Sequence, residues 1–302
     1  MSKRAGMIVA AALLVAAGIA FWVWQGSRAV RERVDALERQ ALKLAGEEQA
    51  DRDAITGLLG KIAKDPLGTT EPRLIRARAR LEKKLDRTQK ALETLEANLS
   101  DGRGTAEDHL LAAEIALRAH AISGVTDSAL SSMVHAEKAS DMLGGDAHAL
   151  LVAWKAAIRG GRDQDASRLG ESIQGTKPAS IEARLVGALR KFDRSDTASL
   201  DGLLALENEL PAPDPELAFA IASLLLQKTG DAHAVAEAVD RITLAVDHVP
   251  SSREFRNVAV VAYHASGDQA RRDQHLQWLL SNAKGDSLYE TWQKMLGAPT
   301  GR

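Results

Sequence analysis

Three places in this 302-residue chain set chemically capable side chains at suggestive spacings. Gly170-Glu171-Ser172-Ile173-Gln174-Gly175-Thr176-Lys177 has the outline of a loop whose backbone N–H groups would cradle phosphates. That chemistry needs the order Gly-Lys-Ser/Thr between a strand and a helix. Here Thr176 precedes Lys177, at a helix end just ahead of Pro178. Asp163, Asp165 and Ser167 imitate the opening of a calcium loop, but Arg168 stands where Gly is needed and Gln174 where a bidentate Glu is needed. Those carboxylates suit the start of a helix, where backbone N–H groups lack partners. The third set is the eight histidines: His109, His120, His135, His148, His233, His248, His264 and His275. None belongs to a His-Glu-x-x-His pair and no two are four apart, so no metal ligand set is expected. The chain has no Cys, which excludes disulfides, thiolate metal sites and a Cys nucleophile, and no Gly-x-Ser-x-Gly elbow supports a serine. The expectation is a protein that is not an enzyme, with no catalytic residues, metal or cofactor.

A basic run from Arg73 to Lys90 also holds Arg76, Arg78, Arg80, Lys83, Lys84 and Arg87 against only Glu82 and Asp86. It could sit on anionic headgroups or grip a phosphate backbone. Aromatic residues for base stacking are missing, so a solvated helix face with long stems covering a seam is favoured. Residues 28–99 carry about three excess positive charges and residues 101–302 about seven excess negative ones, a balance that disfavours nucleic acid as a partner.

The elements that must position any site are helical. Aromatics make up 4% of the chain, Ala and Leu abound, and no alternating strand pattern occurs, so the class is all-α. Met1-Ser2-Lys3-Arg4 leads into an uncharged run over residues 5–25, long enough for a membrane-spanning helix. Phe21, Trp22 and Trp24 would form its interfacial belt. The same run fits a cleaved signal peptide with a small-residue site at Gly18-Ile19-Ala20. Cleavage there would expose the aromatics, which favours an anchor over residues 1–27. The basic leader suggests a single-pass protein of a bacterial inner membrane with its water-facing part in the periplasm, although Arg28, Arg31 and Arg33 compete in setting orientation.

Residues 28–100 have heptad spacing. Val30, Val34, Leu37, Ala41 and Leu44 recur at 4, 3, 4, 3, and the frame later meets Ile55, Leu58 and Ile62. After a breaker from Asp65 to Pro72, Leu74, Leu81, Leu85, Leu92, Leu95 and Leu99 resume it. Two helices of about 33 and 26 residues are expected, folded back as a coiled-coil hairpin or paired with a second copy. Beyond a loop at residues 100–104, turn signals recur at Gly124, Gly161, Ser195, Gly230 and Gly267, with steps of 37, 34, 35 and 37 residues. This is the period of a solenoid of helical hairpins over residues 105–296.

The repeat resembles the tetratricopeptide repeat. Gly161, Ala166, Ile173 and Pro178 stand at that family's turn, small-residue, apolar and terminal-proline spacings. Phe219, Ala222, Ser223, Leu226 and Gly230, then Ala245 and Pro250, fit another copy, and Tyr263 with Gly267 the next. Arg272 departs from the pattern, as do Ser195 and Leu200. The resemblance implies a protein-binding surface made by the first helix of each hairpin. In its register Lys155, Arg159, Gln227, Lys228, Asn257 and His264 face the partner and could donate hydrogen bonds or charge to an acidic segment. The expected function is an anchored interaction scaffold, with an oligomerising coiled-coil tether as the alternative.

Overall fold

The computed structural model describes residues 27–47, 49–100, 104–193, 199–228, 231–282 and 286–297, and among them all regular structure is α-helical. The chain divides into two compact units, Met1–Gly104 and Thr105–Arg302.

The first unit contains α1 (27–46), α2 (Arg52–Lys64), α3 (Pro72–Lys84) and α4 (Thr88–Leu99). The two long helices expected from the heptads are therefore four short ones. The first interruption follows Gly46, and Asp51 restarts the chain by capping α2 through the Asp53 N–H. The second is a Schellman turn: Arg87 N–H bonds Glu82 O and Asp86 N–H bonds Lys83 O, with Asp86 left-handed at φ 58°. The heptad residues Val34, Ala41, Ile55, Leu58, Ile62, Leu74, Leu81 and Leu85 still meet, in one core within the chain. Helix α3 buries a further stripe, Ile75, Ala79 and Glu82, where Glu82 accepts from Thr94 of α4. A seam 3.5 residues in period describes only one of these two faces. In the basic run, Arg73 pairs with Asp35 and Glu38, and Arg78 and Lys90 reach Glu82.

The expected single-pass membrane localisation is corrected. Among the described residues no helix is long and apolar enough to cross a membrane. Helix α1, which follows the expected span, cannot cross a membrane itself: Arg28, Arg31, Glu32, Arg33, Asp35, Glu38, Arg39 and Lys43 fall within its 20 residues, and charge at a bilayer centre is costly. Residues 5–25, with Phe21, Trp22 and Trp24, lie outside the described residues.

The second unit is an array of antiparallel hairpins: α5 (Ala106–Ser123) with α6 (Thr126–Met142), α7 (Ala147–Arg159) with α8 (Asp163–Thr176), α9 (Ile181–Asp193) with α10 (Leu200–Glu209), α11 (Pro215–Leu225) with α12 (Ala232–His248), and α13 (Arg253–Ser266) with α14 (Gln269–Asn282). Helix α15 (Tyr289–Gly297) packs on α14. Gly124, Gly161 and Gly267 hold three of the hairpin turns at φ 71°, 67° and 79°, a region in which a Cβ is strained. Each first helix touches the next, α5 to α7 to α9 to α11 to α13, so these five lie side by side. An aromatic ladder ties the last three: Phe192 meets Phe219 edge-on at 5.9 Å, and Phe219 stacks on Phe255 at 4.8 Å.

Local sequence explains the starts of these helices. Thr105 and Asp108 form a reciprocal capping box at α5. Thr105→Ala should cost about 1 kcal/mol, visible as a lower denaturant midpoint, whereas an unchanged midpoint would mean the cap contributes nothing. The phosphate-loop imitation is part of α8, where a Cβ on Gly170 would come within 3.3 Å of the Trp154 indole nitrogen. Its glycine permits close helix packing. Asp165, in the first turn of α8, pairs with Arg162 and Arg168.

Candidate functional site

Two residues expected to face a partner are engaged inside the array. Lys155 and Arg159, one turn apart on α7, point at the start of α11. There Asp214 is the N-cap, accepting from Leu217 N–H at 3.1 Å, Pro215 follows it, and Glu216 comes next. Lys155 Nζ donates to Asp214 and, at 3.0 Å, to Glu216, while Arg159 donates through Nε at 2.8 Å and through Nη2 to Glu216 Oε1. All four side chains are only 9–13% exposed. Burial opposes ionisation of Glu216, but Arg159 and Lys155 outweigh it and hold the carboxyl well below its usual range. Burial prevails at Asp214 and pushes its carboxyl up, with the Lys155 charge opposing. For Lys155, the charges of Glu216 and Asp214 overcome burial and raise the ammonium.

A second set of contacts joins hairpins far apart in sequence. Ser251, between α12 and α13, donates its N–H to Ala121 O at 3.1 Å and its hydroxyl to His120 O and Ala121 O at the end of α5. Arg118 of α5 donates to His248 O at 2.8 Å. The array curls until its first and fourth hairpins touch, and the α7–α11 charge cluster also occupies space between hairpins.

The other four expected residues lie at the fourth and fifth hairpins. Gln227 and Lys228 are exposed just after α11. Asn257 is half-buried and His264 exposed on α13. With Val261, which is 52% exposed, Asn257 and His264 stand at i, i+4 and i+7 on one helical face. No bond links these four residues to Lys155 or Arg159.

Sequence reasoning missed a polar cluster on a neighbouring stripe of α13. Arg256 donates from Nε to Pro250 O at 2.8 Å and from Nη1 to His275 Nδ1 at 3.1 Å, and its guanidinium lies 4.2 Å from the centroid of the Trp278 ring. His275 stacks on Tyr263 with centroids 5.4 Å apart, and Tyr263 and Thr243 share a 2.7 Å hydrogen bond. Burial, followed by the Arg256 charge, pushes the His275 imidazole down to about 4, so it is neutral at pH 7 with its proton on Nε2. Nothing in the sequence joins positions 256 and 275. Asp214-Pro215-Glu216, in contrast, carries a readable helix-start signature.

The other histidines are dispersed. His109 and His135 stack with their Nδ1 atoms 2.9 Å apart, and His148 meets Glu114 at 3.5 Å. Among the described residues no three His, Asp or Glu side chains gather as a metal site.

No protein-family model and no curated protein matches the chain. Among solved structures it is similar to a tetratricopeptide repeat protein from Parabacteroides merdae, with a TM-score of 0.49 and 15% identity over 88% of this chain and 99% of that one. It is also similar to yeast Tom70, with a TM-score of 0.46 and 12% identity, over 87% of this chain and 63% of that one. At these scores no residue role is carried across, and the helical-hairpin repeat rests on the stacking described above.

Proposed function

We propose that residues 105–297 are a protein-interaction scaffold and that its partner docks at the fourth and fifth hairpins. The observation that carries this reading is the α13 face of Asn257, Val261 and His264, which combines an exposed apolar side chain with hydrogen-bonding neighbours. Buried apolar anchors ringed by polar groups supply most of the energy in protein interfaces. Lys155 and Arg159 support the partner surface from below, by fixing α7 to α11, and do not contact the partner themselves. Gln227 and Lys228, at the end of the neighbouring first helix, extend the surface toward an acidic segment.

A photo-crosslinking side chain placed at position 261 in cells should capture a discrete partner, and the same group at exposed Ser172 on α8 should not. Val261→Asp should remove that partner from affinity capture without changing thermal stability. Identical captures from positions 261 and 172 would defeat the proposal.

A further inference from the structure

We infer that the cleft between α12, α13 and α14 is a binding site for a single carboxylate, with Arg256 as its principal donor. The cleft has a volume of about 390 Å³, within the usual range of ligand sites, and is open to solvent on one side. Its walls bring together Asp247 of α12, Arg256 and Tyr263 of α13, and Arg271, Gln274 and His275 of α14.

Arg256 is half-buried and charged. Four other buried or half-buried cations of this unit have carboxylate partners: Lys155 has Asp214, Arg159 has Glu216, Arg241 has Glu207 and Arg272 has Asp273. Among the described residues no carboxylate pairs with Arg256, and burial alone lowers its pKa. A half-buried guanidinium without a counter-ion is costly, and a bound anion would offset that cost. The group is also held ready. Pro250 O, His275 Nδ1 and the Trp278 ring occupy its Nε, one Nη1 proton and one face, which leaves Nη2 without a protein acceptor. Because His275 accepts from Arg256, its remaining Nε2–H is a second donor in the cleft wall. Gln274 and Arg271 add exposed donors at the rim, where Arg271 pairs with half-buried Asp268 at 3.5 Å and lies 5.6 Å from the centroid of the Tyr263 ring.

The arrangement selects among anions. Asp268 offsets Arg271 and Asp247 lies in the wall, so Arg256 is the one cation of the cleft without a paired carboxylate, and a monoanion suits it better than a doubly charged phosphate. A planar guanidinium with free N–H groups matches carboxylate geometry. Such a carboxylate could belong to an acidic peptide or to a small free acid. The site does not depend on docking along the Asn257–Val261–His264 face, so either proposal can fail alone.

Calorimetric titration of the full chain separates these sources. The probes are glutarate, acetyl-Ala-Ala-Glu-amide, and the methyl ester of that peptide's side chain. Saturable binding of at least one carboxylate, and none of the ester, is expected. Preference for the peptide over glutarate would identify a protein-borne ligand, and the reverse a free acid. Arg256→Met should weaken binding about tenfold or more, as for a lost charged hydrogen bond. Arg256→Lys keeps the charge but not the planar fork, and should recover only part of the affinity. Asp247→Asn should tighten binding about two- to fivefold by removing repulsion, a gain that misfolding cannot imitate. Failure of every carboxylate to bind saturably overturns the inference, as does binding indifferent to Arg256→Met and Asp247→Asn.

Discussion

Glu216→Gln is expected to destabilise the hairpin array by about 3 kcal/mol, the low end for breaking a buried ion pair. The amide keeps the shape of the carboxylate and still accepts one bond. It leaves Arg159 buried without its counter-ion, and Lys155 with Asp214 alone. For a unit near 200 residues this corresponds to a fall of roughly 6–12 °C in midpoint temperature. Glu209→Gln, which removes a pair with Arg184 in which both side chains are more than 40% exposed, should change stability by less than about 0.5 kcal/mol. Equal small effects at both positions would show that the α7–α11 cluster does not hold the array together. A pH scan is a poor substitute because the two acids oppose each other. Glu216, held below its ordinary 4.5, contributes stability that is lost as pH falls. Asp214, raised above 3.8, favours the fold at the acid end of its own window and loses that contribution as pH rises.

The second large effect does belong to a pH scan. The folded-state pKa of His275 is depressed from 6.5 to about 4, so between those values the unfolded chain binds more protons and stability falls with acidification. Linkage with these two values gives a loss of about 2 kcal/mol between neutral pH and pH 5, before most carboxylates titrate. The groups facing the imidazole account for the sign. Arg256 donates to its Nδ1 and repels a second proton, the Tyr263 ring covers one face, and the Asp247 charge only partly compensates. His109 and His135 are lowered by burial and add loss in the same direction, whereas the bond from His148 to Glu114 raises His148 and acts against it. The diagnostic quantity is therefore the difference between the protein and its His275→Gln variant. Denaturant midpoints from pH 7 to 5 should fall more steeply in the protein. Parallel curves would mean that protonation of His275 does not oppose folding.

How much of this was legible in the sequence depended on whether a feature was local. Hairpin turns were readable because Gly124, Gly161 and Gly267 occupy left-handed positions that other residues avoid, and their spacing sets the repeat. Of the heptad residues of the first unit, Val34, Ala41, Ile55, Leu58, Ile62, Leu74, Leu81, Leu85 and Leu95 are buried and Val30, Leu37, Leu44, Leu92 and Leu99 half-buried, but periodicity gives a face and not a helix length. The break after Gly46 and the left-handed Asp86 decided how many helices those residues were divided among. Helix α3 was hardest to read, since Arg-rich PRLIRARARLEKK hides Ile75, Ala77 and Ala79 as buried positions between guanidinium stems. At the candidate site, Asn257 and His264 lie seven residues apart and so share one face of α13. It could not reveal that Lys155 and Arg159 meet carboxylates about 60 residues away, because that contact depends on the curvature of the array. The Arg256–His275 contact was invisible for the same reason.

The central claim is that the hairpin array is the partner-binding part of this protein. Crosslinking followed by affinity capture in cells, comparing the full chain with a version ending at Ser100, tests it most directly. The account predicts partners recovered only when residues 105–302 are present, and lost from the full chain on Val261→Asp. Identical partner sets from the full and shortened chains would contradict it, placing the interaction in the first unit and leaving the array without a binding role.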